Sequence, residues 1–178
     1  MSTDGTACSP RPWPQVPACY GWLSLDRRGR WRLQGEPVTH RGLLAFLNQH
    51  YASEEDGAWF VQNGPQRVFV RLDYTPFVLR MGADGGLLTH TEVAAGPASA
   101  VHVDDEGSVL IATAAGIGLL DDRELPAFVD ECRGADGAAA EIEAVLACAG
   151  VSWRGLPLQP IGRAEVAARY GFRADPQP

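Results

Sequence analysis

Arginines two residues apart are the side chains in this sequence best placed to bind a ligand. In the strand predicted at residues 67–73, successive side chains point to opposite faces. One face carries Arg67, Phe69, Arg71 and Asp73, and the other carries Val68, Val70 and Leu72. The apolar set indicates the side packed on the core, so the arginine set is expected to face solvent.

Arg30 and Arg32 form a second row on an earlier predicted strand. If the two strands are neighbours, their guanidinium groups would bind a carboxylate or a phosphate, because the planar fork donates paired hydrogen bonds to such anions. Trp59 or Phe69 would then lie beside the bound anion. The alternative is an ordinary solvated sheet face, with ion pairs such as one between Arg71 and a nearby acid.

No residues have the spacing of a metal site or of an activated nucleophile. The four histidines lie on separate predicted elements, and no two have HxxxH or HxH spacing: His40, His50, His90 and His102. We therefore expect them to be scattered surface or half-buried residues. The chain has no GxSxG motif, and Cys132 and Cys148 fall on predicted helices among apolar neighbours. We therefore predict no catalytic residue, no metal and no cofactor.

Acidic residues are plentiful, but their positions indicate structural roles. Two acidic runs fall in predicted turns, and Asp121 with Glu124 is typical of a helix-capping pair. The alternative hypothesis is an enzyme whose site lies between two halves of the chain. It would be a hydrolase that uses His90 or His102 with an acid such as Asp104.

The composition of the chain excludes several classes of function. Of 178 residues, 46% are apolar, and no apolar run approaches the roughly 18 residues that cross a bilayer. The start of the chain lacks the features of a signal peptide, so we expect a cytoplasmic protein with reduced cysteines. All 15 basic residues are arginine, so the chain contains no lysine. Schiff-base chemistry and a Walker-A phosphate loop both need a lysine and are excluded. A net charge of −7 disfavours binding to nucleic acid, because such binding depends on clustered positive charge.

The pattern of turns and apolar residues predicts an α+β fold with a largely antiparallel sheet, because short turns join sequential strands. Strands are predicted at residues 20–25, 30–34, 58–62, 67–73, 77–81, 87–91, 100–103 and 108–113. Helices are predicted at residues 38–51, 120–132, 138–147 and 163–170.

Three predicted helix starts share one layout, an apolar residue, a cap and an apolar residue four positions after the cap. They are Val38, Thr39 and Leu43; Leu120, Asp121 and Leu125; and Ile161, Gly162 and Val166. This indicates a repeated hairpin-then-helix unit at residues 20–51 and 101–133, with a partial third copy at 153–170. The predicted organisation is a flexible proline-rich leader at 1–19, a first repeat at 20–95 and a second at 96–178, sharing one core.

Several turn and core motifs carry a family resemblance over residues 20–91. They comprise Gly29 and Trp31; Gly35, Pro37 and Val38; Glu55, Asp56 and Gly57; Trp59, Phe60 and Val61; and Pro76, Phe77 and Val78. In these the chain resembles an uncharacterised proteobacterial family of unknown function, DUF1285-like or DUF2944-like. The resemblance implies two repeated α/β motifs and a ligand-binding or signalling role. It implies no reaction, cofactor or catalytic residue.

These observations favour a non-enzymatic, cytoplasmic module for ligand binding, regulation or signal transduction. The expected partner is a small anionic ligand or another protein, with no nucleic acid and no membrane. The arginine residues and their aromatic neighbours are the predicted ligand site.

Overall fold

The computed structural model describes residues 15–178, so most of the predicted leader lies outside the described residues. The last two residues of that leader, Ala18 and Cys19, already belong to the first strand. The strands are β1 Ala18–Leu25, β2 Trp31–Leu33, β3 Glu36–Pro37, β4 Tyr51–Ser53, β5 Trp59–Asn63, β6 Gln66–Leu72, β7 Phe77–Met81, β8 Leu87–Thr89, β9 Ala98–Asp104, β10 Val109–Thr113, β11 Gly116–Leu120, β12 Cys132–Arg133, β13 Ser152–Trp153 and β14 Leu156–Ile161.

The helices are short. They are α1 Arg41–Gln49, α2 Leu125–Glu131, α3 Ile142–Leu146 and α4 Val166–Tyr170, with single 3-10 turns at Asp122–Glu124 and Arg163–Glu165. Within the described part of the chain, no helix is long and apolar enough to span a membrane. The strands outnumber the helices, and the fold is α+β as predicted.

Two sheets contain all fourteen of these strands. A six-stranded sheet has the order β3-β2-β1-β6-β5-β4, and an eight-stranded sheet has the order β12-β13-β14-β9-β10-β11-β7-β8. Three pairs run parallel: β1 with β6, β11 with β7, and β14 with β9. The prediction of a largely antiparallel sheet therefore needs correction, since both sheets are mixed. Short turns predict the pairing only of strands that follow one another in the chain, whereas these three pairs join strands that are distant in the chain.

Apolar side chains from both sheets form the larger core. Leu23 and Val70 of the six-stranded sheet belong to the same buried cluster as Leu110 and Leu119 of the eight-stranded sheet. A second cluster covers the other face of the eight-stranded sheet, where Ile111 alternates with Leu110 along β10. The eight-stranded sheet is thus buried on both faces, which leaves the outer face of the six-stranded sheet as the main open sheet surface.

The first helix begins one residue later than predicted. His40, not Thr39, is the N-cap of α1, and its Nδ1 accepts a hydrogen bond of 3.2 Å from the Leu43 N–H. Asp121 does act as a cap, but of the 3-10 turn that precedes α2. The sequence pattern favoured Thr39 because threonine is the commoner cap residue, while an unprotonated imidazole nitrogen accepts the same hydrogen bond.

Replacing the unusual cap is expected to stabilise the protein. His40→Asp should raise the free energy of unfolding by about 1 kcal/mol, because aspartate is a better cap and the first turn of α1 has no acidic residue. Urea denaturation at pH 7 measures the difference. Thr39→Asp is the control and should change the stability little, and equal gains from the two variants would contradict His40 as the cap.

Candidate functional site

Two arginines of the predicted set lie on the strands that flank β1. The register pairs Ser24 of β1 with Arg32 of β2 on one side and with Arg71 of β6 on the other. Paired residues share a face, so both arginines project from the outer face, about 10 Å apart at their Cα atoms. The small Ser24 side chain between them leaves space that a larger residue would fill.

A cavity of about 610 Å³ occupies that space. It is open at the surface and lies within the size range of small-molecule sites. Its lining combines residues of β1, β2 and β6 with the segment after α4: Gly21, Trp22, Leu23, Ser24, Arg32, Gln34, Gly35, Arg71, Asp73, Asp175 and Gln177. We call it the arginine cavity.

Arg32 is held in place by a buried carboxylate. Its Nε and Nη2 each lie 3.4 Å from Asp26 Oδ2, and its Nη1 donates to the Gly35 carbonyl oxygen at 3.1 Å. Burial opposes ionisation of Asp26, but hydrogen bonds from the backbone N–H groups of Arg30 and Arg28 outweigh it and lower the pKa of that carboxyl. Asp26 therefore stays charged and fixes the direction of Arg32.

Arg71 is much less constrained. Its closest carboxylate is Asp73, where Nη2 and Oδ1 are 3.6 Å apart, which is too long for a hydrogen bond. Within residues 15–178, the guanidinium of Arg71 donates no hydrogen bond, and its side chain is 58% exposed. Its donors are thus available at the mouth of the arginine cavity.

The other two predicted arginines lie outside this cavity. Arg30 donates from Nε to Asp26 Oδ2 at 2.8 Å, and it lies in the turn before β2. Arg67 is at the opposite end of β6, where it pairs with Glu54 and its guanidinium lies 5.2 Å from the centre of the Phe60 ring. The structure therefore brings together Arg32 and Arg71, but not all four arginines.

The predicted aromatic neighbours are already engaged in packing. Phe69 lies on the arginine face as predicted, but it is buried beneath Tyr20, whose ring stacks on it with the two centroids 4.5 Å apart. Trp59 lies on the opposite face of the sheet, with its ring 4.7 Å from that of Tyr51. The aromatic residue that lines the arginine cavity is Trp22, which is not among the predicted site residues.

The histidines of the enzyme hypothesis are more buried than predicted. His90 is enclosed by Trp31, Tyr51 and Phe77, and burial, together with the charge of Arg80, lowers its pKa to about 3. It is therefore neutral at physiological pH.

His102 is fully buried, and its Nε2 lies 2.6 Å from the Tyr170 hydroxyl. Asp104, the acid named with it, instead accepts a hydrogen bond of 2.8 Å from the Tyr74 hydroxyl. Neither histidine lines the arginine cavity or the two cavities described below.

The thiols are placed for packing. Cys132 lies in strand β12 rather than in a helix, where burial raises its pKa to about 11, and burial also raises the pKa of Cys148. Such thiols are poor nucleophiles at neutral pH. Among the described residues, no three His, Cys, Asp or Glu side chains are grouped as metal ligands would be.

Two further cavities also contain arginines, but those arginines are occupied. A cavity of about 350 Å³ is lined by Arg27 and Arg28, which donate to Ser108 and Asp122 at 2.8 Å each. A cavity of about 460 Å³ is lined by Arg154, which makes two hydrogen bonds to Glu131. Among the arginines of these three cavities, Arg71 alone has a side chain that makes no hydrogen bond within the described chain.

The fold and the site define an α+β protein with two mixed sheets and an arginine-lined surface cavity. The chain matches the DUF2944 family model, described as "Protein of unknown function (DUF2946)", over residues 8–177. It therefore belongs to this family of unknown function, which confirms the predicted resemblance. No curated protein shows significant similarity to the chain.

Two solved structures match part of the chain. A DUF1285 family protein from Silicibacter pomeroyi DSS-3 has a TM-score of 0.51 and 20% identity, covering 67% of this chain and 73% of that one. A DUF1285 family protein from Shewanella baltica OS155 has a TM-score of 0.45 and 15% identity, covering 61% and 90%. At such identity the first comparison shows a shared fold alone.

Proposed function

We propose that the protein is a non-enzymatic module that binds a small anionic ligand in the arginine cavity. The observation that carries the proposal is the guanidinium of Arg71, which donates no hydrogen bond within the described residues and lies across Ser24 from Arg32 at the cavity. A carboxylate or phosphate oxygen accepts the paired N–H groups of a guanidinium in a geometry that a water molecule does not reproduce.

The cost of preparing this site is small. Arg32 is already oriented by Asp26, so its side chain loses little rotamer freedom when a ligand binds. The ligand would compete with Asp73 for Arg71, and an exposed ion pair of this length contributes at most about 1 kcal/mol. The arrangement therefore supports binding of an anion rather than a purely internal ion pair.

We also propose that residues 20–51 and 101–133 are two copies of one unit, with 153–170 as a partial third. Two turns support this, because Asp26 Oδ1 accepts from the N–H groups of Arg28 and Arg30, and Asp104 Oδ1 accepts from those of Glu106 and Ser108. The parallel pairing of β1 with β6 also resembles that of β9 with β14. The repeat boundaries at 20–95 and 96–178 follow from the same proposal.

The proposed role is regulatory or signalling, in a cytoplasmic setting. Three cysteines of the described chain, Cys19, Cys132 and Cys148, are free, as is usual in a reducing compartment. Binding of the ligand would tie β6 to β2 across β1. In such a module the bound state, rather than a chemical product, would be the signal read by a partner.

A thermal-shift screen tests the proposed function. The probes are nucleotides, phosphorylated metabolites and small carboxylates, each added to the full chain. A ligand at a hundred times its dissociation constant stabilises the fold by about 2.7 kcal/mol, which corresponds to a rise in Tm of several degrees for a chain of this size. We expect at least one probe to do so with the parent protein.

The variants make the screen specific. Arg32→Ala/Arg71→Ala should abolish the shift, whereas Arg67→Ala should retain it, because Arg67 is exposed on the same strand but lies outside the cavity. A shift that survives the double substitution would place binding elsewhere. No shift from any probe would leave the arginines as a solvated sheet face and would contradict the proposal.

A further inference from the structure

The arginine cavity contains acidic groups as well as arginines. Asp73 and Asp175 line it together with Arg32 and Arg71. Two guanidinium groups and two carboxylates make the formal charge of the lining zero. A cavity built for a plain anion would be expected to exclude carboxylates, because like charges near the bound anion oppose binding.

Asp175 is the carboxylate without a partner. Within residues 15–178 its side chain makes no ion pair and no hydrogen bond. Its position is nevertheless fixed, since the Ala174 carbonyl oxygen accepts a hydrogen bond of 2.7 Å from the Leu72 N–H, and Pro176 is buried. A negative charge thus lines the same cavity as the Arg71 guanidinium, which also lacks a hydrogen-bond partner.

Because a guanidinium and a carboxylate that both lack hydrogen bonds line one cavity, and resting on the function proposed above, we propose that the ligand is a small zwitterion with one carboxylate and one ammonium group, such as a free amino acid. Its carboxylate binds Arg71 and Arg32, and its ammonium group binds Asp175. Neutral donors and acceptors for the remaining polar atoms come from Ser24 and Gln34 in the same lining.

The alternatives fit the charges less well. A dianion such as a phosphate monoester would satisfy the arginines but would lie in the same cavity as two carboxylates. A simple cation would satisfy Asp175 but would leave Arg71 without a hydrogen bond and would be repelled by it. A volume of about 610 Å³ accommodates a free amino acid with its bridging waters.

The test begins with the twenty common α-amino acids, each titrated into the full chain by isothermal calorimetry. For the tightest binder, two matched probes follow: the same molecule without its ammonium group and the same molecule without its carboxylate. We expect each probe to bind the parent about tenfold more weakly than the amino acid, as loss of one charge-assisted hydrogen bond implies.

Asp175→Asn identifies the acid responsible. It should weaken binding of the amino acid about tenfold, but it should not weaken binding of the probe without an ammonium group, because the carboxylate that it removes repels that anion. Asp130→Asn is the matched control, since Asp130 is an exposed aspartate on α2 outside the cavity and should change neither affinity.

The outcomes separate this inference from the function on which it rests. Equal affinity for the amino acid and for the probe without an ammonium group would overturn the zwitterion, as would an unchanged preference in Asp175→Asn. If simple carboxylates or phosphates still bind and Arg32→Ala/Arg71→Ala abolishes their binding, the anion site itself stands. No binding by any amino acid, carboxylate or phosphate would overturn both.

Discussion

Gly57→Ala is expected to lower the free energy of unfolding by about 3 kcal/mol or more. Gly57 has a φ of +84°, and a Cβ built on it would lie 2.3 Å from the Gly171 carbonyl oxygen and 3.0 Å from the Phe172 Cα. These are backbone atoms, and the segment is held there because the Arg173 N–H donates to the Gly57 carbonyl oxygen at 2.9 Å. The clash therefore cannot be relieved by rotating a side chain.

The effect matters for the cavity because the displaced segment continues to Asp175. Urea denaturation followed by circular dichroism measures the loss of stability in Gly57→Ala. Gly64→Ala is the control, since Gly64 has a φ of +56° but no atom within 4 Å of the added Cβ. It should cost about 1 kcal/mol for backbone strain alone. Equal losses in the two variants would contradict close packing of residues 171–173 on the turn before β5.

Asp121→Asn is expected to lower the free energy of unfolding by about 2 kcal/mol at pH 7. Asp121 is fully buried, and its carboxylate accepts hydrogen bonds of 2.9 Å and 2.6 Å from the Arg123 side chain and one of 3.0 Å from the Arg123 N–H. Removing the charge weakens these hydrogen bonds and the cap of the turn before α2. Both Arg123 and the more distant Arg80 are about half exposed and can be rehydrated, which limits the loss.

The difference in stability between the parent and Asp121→Asn is expected to depend on pH. The hydrogen bonds from the Arg123 side chain lower the pKa of Asp121 to about 2, below its value of about 3.9 in an unfolded chain. The folded protein therefore binds the proton less readily, so this stabilisation is present above about pH 5 and is lost as the pH falls through about 2. Denaturation of parent and variant between pH 7 and pH 2 measures the difference. A difference in stability that does not shrink on acidification would contradict the charged, buried Asp121.

Local features of the fold were predictable because they depend on neighbouring residues. The strand predicted at residues 77–81 has those bounds, and a short turn joins β5 to β6 where one was expected between the strands predicted at residues 58–62 and 67–73. The prediction that Val68 and Val70 face the core and Arg67 and Arg71 face solvent is confirmed. Alternation along one strand is enough to decide these points.

Pairings between distant segments were not predictable from local patterns. No turn signal marks the parallel pairing of β1 with β6, although this pairing places Arg32 and Arg71 on either side of Ser24. Strand β11 was missed because its sequence, with Gly116 and Gly118, lacks alternation, and Gly118 is needed where a Cβ would lie 2.5 Å from the Leu79 side chain. The constraint comes from another strand and leaves no periodic signal.

The acidic part of the site was missed for a similar reason. Asp26 lies in the short connection between the strands predicted at residues 20–25 and 30–34, but its role in holding Arg32 depends on the folded hairpin. No helix or strand was predicted after residue 170, whereas Pro176 is buried and Asp175 lines the arginine cavity. A short polar segment with two prolines has no apolar period that would indicate packing.

Ligand binding at the arginine cavity can be observed directly in a nuclear magnetic resonance titration that follows the arginine Nε–H signals as the ligand from the screen is added. We predict saturable shifts of the Arg71 and Arg32 signals, with the Arg67 signal unchanged. The Asp175 carboxylate carbon should shift in the same titration if the ligand carries an ammonium group. Saturable shifts confined to other arginines, with Arg71 and Arg32 unchanged, would contradict an anion site in this cavity.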